Sequence, residues 1–278
     1  MNSVRDYFKT KPVLIYFLLA FVISWGAIII SVGFDGFPLS EEQLPVLIVA
    51  MLLGPSAAAF LAAWLSSGRA GIRDLFSRLV RWRVKPIWYA TALLTAPLST
   101  IAILAVLALF SPDFPAALAV AQDKFGLVLM WIMSGLMVGF FEELGWTGFA
   151  TPRMRKRLGV FAAGLIIGLL WGAWHLLVNL ESDTFAGGLP LALLVVRLFT
   201  WLPAYRILMV WVYQHTESQL VVTIMHISLV ATTGILDPVL GGQKLIIFLL
   251  AKAVIFWLFA AVVFLVGTEK PASVSAAA

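Results

Sequence analysis

The stretch Phe140-Phe141-Glu142-Glu143-Leu144-Gly145-Trp146-Thr147-Gly148-Phe149 places two adjacent carboxylates near the end of a segment that is otherwise apolar enough to span a membrane. An acidic side chain at bilayer depth costs at least about 2.5–3.5 kcal/mol on insertion scales. Two in succession are not expected to face lipid. They require a protein interior or a watery cavity, with donors supplied from other helices.

The composition around that stretch agrees. The chain has 278 residues, 62% hydrophobic and 12% charged, with a mean hydropathy of +1.01. A soluble domain carries about 25% charged residues, so the expected class is all-α and polytopic. About 20 apolar residues make one crossing. Eight segments meet that criterion: roughly 12–33, 44–66, 86–111, 125–149, 159–180, 189–213, 219–236 and 245–267. The basic run 1–11 precedes an apolar stretch too long for a cleaved leader, so Pro12–Ser31 reads as the first span. Residues 1–270 read as one transmembrane domain and 271–278 as a disordered small-residue tail.

The formal charge of +5 does not point to nucleic acid, because the basic residues cluster in short loops beside apolar spans. With the N-terminus inside, fourteen of the 19 lysines and arginines fall in inside segments, chiefly Arg69–Lys85 and Arg153–Arg157; Lys124 and Lys244 fall outside. That bias predicts an integral protein of the cell (plasma or inner) membrane with both termini cytoplasmic. Within Gly71–Val84, Ile72, Leu75, Phe76, Leu79 and Val80 recur at helical spacing with arginines off that face. This is a basic amphipathic connector in the interface. There is no cysteine, which excludes a thiol nucleophile, a disulfide framework and a thiolate metal site.

Ionisable residues inside spans are the functional candidates. They are Glu142 and Glu143 in span four, His175 in span five, Arg197 and Arg206 in span six, His226 in span seven and Lys252 in span eight. At about 1.5 Å per residue, Glu142 lies about 15 Å from Pro152, His226 about 14 Å from Glu217, and His175 about 18–25 Å deep. The three can meet around a polar cavity, expected in the cytoplasmic half. Two chemistries stay open. Glu142 can act as general base toward water, with the histidines orienting it or stabilising an oxyanion. Alternatively Glu142, His175 and His226 can ligate a metal, most plausibly Zn²⁺. Arg206 can snorkel or pair with Glu142 or Glu143, whereas Arg197 and Lys252 read as snorkelling or structural. Gly135, Gly139, Gly145 and Gly148 allow close helix approach. No broken or repeated helix is read, which ranks a transporter last.

These residues also resemble a known family. Glu142-Glu-x-Gly-Trp-x-Gly-Phe149 with Pro152-Arg153, then Trp171-Gly-Ala-Trp-His175, Tyr205-Arg206 and Met225-His226, resemble the successive motifs of the CPBP (Abi) family of intramembrane proteases, relatives of the CaaX-processing endopeptidase. The resemblance implies eight transmembrane helices and an endopeptidase acting near the cytoplasmic face on a peptide or protein substrate, prenylated in eukaryotic relatives. It implies Glu142 as catalytic base, Glu143 as its partner, and His175 and His226 as the motif histidines. Two positions depart. Thr147 stands where the family commonly has Arg, and Val230 where the third motif often has Asn. Ser228 and Thr232 are the nearby hydroxyls available in place of the Asn, although Ser228 faces elsewhere on the helix. The departures leave a non-catalytic scaffold, such as a self-immunity or regulatory protein, as the alternative.

Overall fold

Proline explains much of how these helices are joined. The computed structural model describes residues 9–33, 40 and 42–266; the 271–278 tail and the placement of both termini lie outside them. All regular structure among the described residues is helical: α1 (Pro12–Val32), α2 (Leu44–Leu79), α3 (Pro86–Ala108), α4 (Lys124–Gly145), a π-helical turn Trp146–Ala150, α5 (Thr151–Trp174), α6 (Gly188–Phe199), α7 (Leu202–Thr216), α8 (Gln219–Leu236) and α9 (Gly242–Val266), with short helical turns at Ala117–Val120 and Leu177–Asn179. Seven runs are long and apolar enough to cross a membrane, by length and composition. One, Lys124–Trp174, holds 51 residues. At 1.5 Å per residue it would reach about 77 Å, far beyond a bilayer core of about 30 Å. The π turn and Gly159, with φ 78° and ψ 176°, interrupt it, and so it supplies both span four and span five. The protein is an integral membrane protein of all-α class.

A proline inside a helix leaves the carbonyl four residues earlier without its donor. In lipid that carbonyl has no water to turn to. Pro55 in α2 orphans Met51, and the Ser24 hydroxyl of α1 donates to the Met51 carbonyl at 2.7 Å. Pro97 in α3 orphans Leu93, and Ser228 of α8 donates there at 2.7 Å. Pro152 at the start of α5 orphans Gly148, and the Arg78 guanidinium donates to that carbonyl at 2.9 Å. Each break is filled from a different helix. Ser228 therefore does face away from His226, as its helical position suggested.

Span six departs from the sequence reading. It is two helices, α6 and α7, broken at Thr200–Trp201, with Pro203 in the first turn of α7. The indole of Trp257 on α9 donates to the Thr200 carbonyl at 2.7 Å and satisfies the break. The absence of broken helices thus no longer argues against a transporter.

Close packing rests on glycine. A Cβ on Gly139 of α4 would lie 2.8 Å from the Ile227 side chain of α8, and one on Gly145 would lie 2.5 Å from the Pro55 carbonyl oxygen. Gly164, Gly168 and Gly172 do the same for α5 against α6 and α7, at Ile207, Pro203 and Leu198. In Gly164→Ala the new Cβ meets the Ile207 Cα at 2.5 Å, a backbone atom that cannot rotate away. The expected cost is about 1–3 kcal/mol, read as a lower unfolding temperature in detergent. Unchanged stability would show that α7 yields freely.

α2 kinks at Gly68, with φ 58° and ψ −141°, and its part beyond the kink carries the amphipathic connector. Its Leu75 is buried while Phe76 is exposed. Arg81 joins Arg155 on Glu217, at 2.9 and 2.8 Å. The Arg81 guanidinium, then that of Arg155, hold the Glu217 carboxyl below its ordinary range. The amphipathic segment is clamped to the basic end of the bundle.

Candidate functional site

The two glutamates, one position apart on α4, point into different surroundings. Both are buried. Glu143 takes the positive charge. Its Oε2 accepts from the Arg206 guanidinium of α7 at 2.9 Å and from the Thr147 hydroxyl, and its Oε1 accepts from His226 Nδ1 of α8 at 2.8 Å. Arg206 is fully buried and lies 4.4 Å over the Trp171 ring. The charge absent at position 147 is thus supplied by α7, and the Thr147 hydroxyl completes the same carboxylate.

Glu142 is held by neutral donors. Its Oε2 accepts the indole N–H of Trp171 at 2.7 Å and that of Trp146 at 3.3 Å. It lines a cavity of about 190 Å³ together with His175 and His226. The imidazole tautomers follow from their partners, because a carboxylate and a carbonyl can only accept. His226 Nδ1–H donates to Glu143, and His175 Nδ1–H donates to the Trp171 carbonyl at 2.8 Å. In both rings Nε2 is the nitrogen left for other partners. The π turn following Glu142–Glu143 is held by Thr151, whose hydroxyl donates to the Trp146 carbonyl at 2.8 Å. Such turns recur at functional sites.

Of the candidates read from the sequence, Glu142, His175 and His226 share the cavity; Glu143 and Arg206 lie behind it. Lys252 is structural as expected, buried against Asp237 at 2.5 Å. Arg197 is not only structural, since it lines the cavity while bonding Glu181 at 3.1 Å and Asn179 at 3.4 Å. Val230 lines the cavity where the family pattern suggests an amide, and the nearby lining hydroxyl is that of Thr233 rather than Thr232. Trp131, Asn179 and Trp201 were missed. The signal was helical phase: Trp131, Val138 and Glu142 are spaced by seven and four, and His226, Val230 and Thr233 by four and three.

The cavity extends in one direction from Glu142. Its α4 residues run back toward the start of that helix, its α8 residues forward toward the end of theirs, and Trp171 and His175 stand at the end of α5. On the other side, every residue from Glu142 to Pro152 is buried. Tyr16, Trp146, Phe149 and Trp174 pack ring against ring beside the site at 5.2–5.8 Å.

Zinc in a catalytic site takes three protein ligands. Among the described residues no three of His, Asp and Glu are placed to hold a metal ion. Each histidine donates Nδ1–H and keeps Nε2, as a metal-ligating histidine also does, but with Glu142 turned to two indoles the three side chains as placed do not converge on one ion.

Residues 124–232 match the family model described as "Type II CAAX prenyl endopeptidase Rce1-like". The match opens with α4 and closes within α8, and so takes in both glutamates and both cavity histidines. The resemblance to the CPBP family is borne out. A curated relative, "CAAX prenyl protease 2" of Methanococcus maripaludis, is 40% identical over 40 residues. That alignment covers 14% of this chain and 15% of the relative. The matched segment holds Glu142 and its cavity partners, and α1, α2, α3 and α9 lie outside it.

Proposed function

We infer that the protein is a membrane-embedded endopeptidase of the CaaX-protease type, in which Glu142 activates water. One observation carries this reading: Glu142 faces a cavity with two imidazoles, while its neighbour Glu143 takes the buried Arg206 guanidinium. Both indoles reach the same oxygen of Glu142, and a carboxylate accepts a proton on either oxygen. Water in the cavity gives a proton to Glu142 as its oxygen attacks the peptide carbonyl. Glu142 returns that proton to the leaving amine as the C–N bond breaks. His226, fixed by Glu143, and His175, fixed by the Trp171 carbonyl, orient the water through Nε2. Glu143, Arg206 and Thr147 are positioning residues.

The substrate is a peptide or protein segment that reaches the bilayer; a prenylated C-terminal peptide is the first probe, by analogy with the named relative. The test is cleavage of such a peptide by the protein in proteoliposomes, read by mass spectrometry, with and without EDTA. Products that form equally in both support the metal-free reading. Activity lost to EDTA and restored by Zn²⁺ overturns it. Val230→Asn is expected to raise the rate, because it adds an amide donor to the cavity wall; one oxyanion donor is typically worth about 10²–10³ in rate. The scaffold reading gains from Val230, which donates nothing there. No product from any peptide, with Val230→Asn also inactive, would favour it.

A further inference from the structure

A second polar cavity, of about 150 Å³, lies where the amphipathic segment meets the bundle. Its lining includes Arg78 of α2, Arg81 just beyond that helix, Arg155 and Lys156 of α5, and the carboxylates of Asp74 and Glu217. Four cations therefore face two anions. Both carboxylates are engaged: Asp74 accepts from Arg78, and Glu217 accepts from Arg81 and Arg155 at 2.9 and 2.8 Å. The surplus is positive. Lys156 is exposed and stands in no ion pair among the described residues. Arg155, with only 10% of its side chain exposed, donates from its two terminal nitrogens to Gln214 and Glu217. Its Nε is buried with no hydrogen-bond partner among the described residues. A buried donor on a charged group is normally satisfied.

We propose that this cavity binds a phosphate anion, carried on a lipid headgroup or free in solution. Guanidinium forks match phosphate oxygens in a way that a point charge does not. A phosphate offers three or four oxygens around one centre, enough to reach Arg155, Arg78 and Lys156 together, where a carboxylate offers two. The size agrees: drug-sized sites occupy about 300–1,000 Å³, so a cavity of about 150 Å³ takes one headgroup and little more. The level agrees as well. Trp82, next to Arg81, is exposed, as an aromatic residue at the headgroups is, and basic amphipathic segments there attract anionic lipid. No lining residue is shared with the Glu142 cavity, so the proposal stands apart from the catalytic reading. The two places still touch. Arg78 donates to the Gly148 carbonyl at 2.9 Å, within the π turn that follows Glu142 and Glu143.

The test follows the unfolding temperature of the whole protein in a neutral detergent, at constant ionic strength, as ligand is added. A ligand that binds the folded state raises it by mass action. The probes are inorganic phosphate, dioctanoyl-phosphatidylglycerol and, as a chain-bearing anion without phosphorus, octanoate. A rise with phosphatidylglycerol alone assigns the cavity to a headgroup; a rise with inorganic phosphate assigns it to the free anion. Lys156→Gln removes a charge that holds no contact of the fold, and is expected to raise the half-effect concentration at least about fivefold. Arg157→Gln removes the same charge one residue further on, outside the cavity, and is expected to change it by less than about twofold. Arg155→Lys keeps the charge but loses the fork, and is expected to weaken binding about tenfold. No rise with either phosphate probe, an equal rise with octanoate, or equal effects of Lys156→Gln and Arg157→Gln would overturn the proposal.

Discussion

Glu142→Gln is expected to lower peptide cleavage by about 10²–10⁴, the range that a positioned general base contributes, while the folded protein keeps its stability. The separation follows from what holds Glu142. Its partners are two indole N–H groups on a single oxygen. A glutamine carbonyl accepts both in the same place, and its amide then faces the cavity. The side chain loses its capacity to take a proton and nothing else. Initial rates in proteoliposomes and an unfolding curve in detergent check the two halves together. Cleavage at the unmutated rate would remove Glu142 from the chemistry. A large loss of stability would mean that its charge serves the fold.

Arg206→Ala is expected to act the other way, on the fold first. It leaves Glu143 in a fully buried position with Thr147 and His226 but no permanent cation. Removing one partner of a buried ion pair costs about 3–5 kcal/mol, mostly from the charge left behind. The guanidinium also stacks over Trp171, which donates to Glu142, so the loss spreads to the cavity wall. The double variant Arg206→Met with Glu143→Gln removes both charges and is expected to be more stable than Arg206→Ala. Additive losses in the double-variant cycle would show that the pair is not coupled. Arg206→Lys restores a charge but not the planar group over the indole, and is expected to recover only part of the loss.

Much of this was legible in the chain. Hydropathy and loop charge are sums over many residues, so the eight expected segments survive as helical runs even where their ends move. Glu142 and Glu143 announce a site because lipid cannot host them. The assignment of Arg206 to Glu143 rather than to snorkelling depended on α5 and α7 approaching across Gly164 and Gly168, a spacing present in the sequence but not used. The break in span six was hidden for a related reason. Pro203 is tolerated in a first turn, and only Trp257, 57 residues from Thr200, shows that the chain is interrupted there. The direction of the cavity could not be read from one helix, because it depends on which faces of α4, α5 and α8 are turned toward one another.

The proline breaks set conditions on how the protein is made. Helices enter the bilayer in the order of synthesis, yet the donor for the Leu93 carbonyl in α3 is Ser228 in α8, 135 residues later. Between those events α3 is in the membrane with a carbonyl that has no native partner, worth about 1–3 kcal/mol if kept from water. The Met51 carbonyl of α2 is served from the preceding helix by Ser24 and waits for nothing. The α1–α2 pair is complete as it leaves the ribosome, and α3 is the helix whose seat stays provisional until nearly the whole chain has been translated.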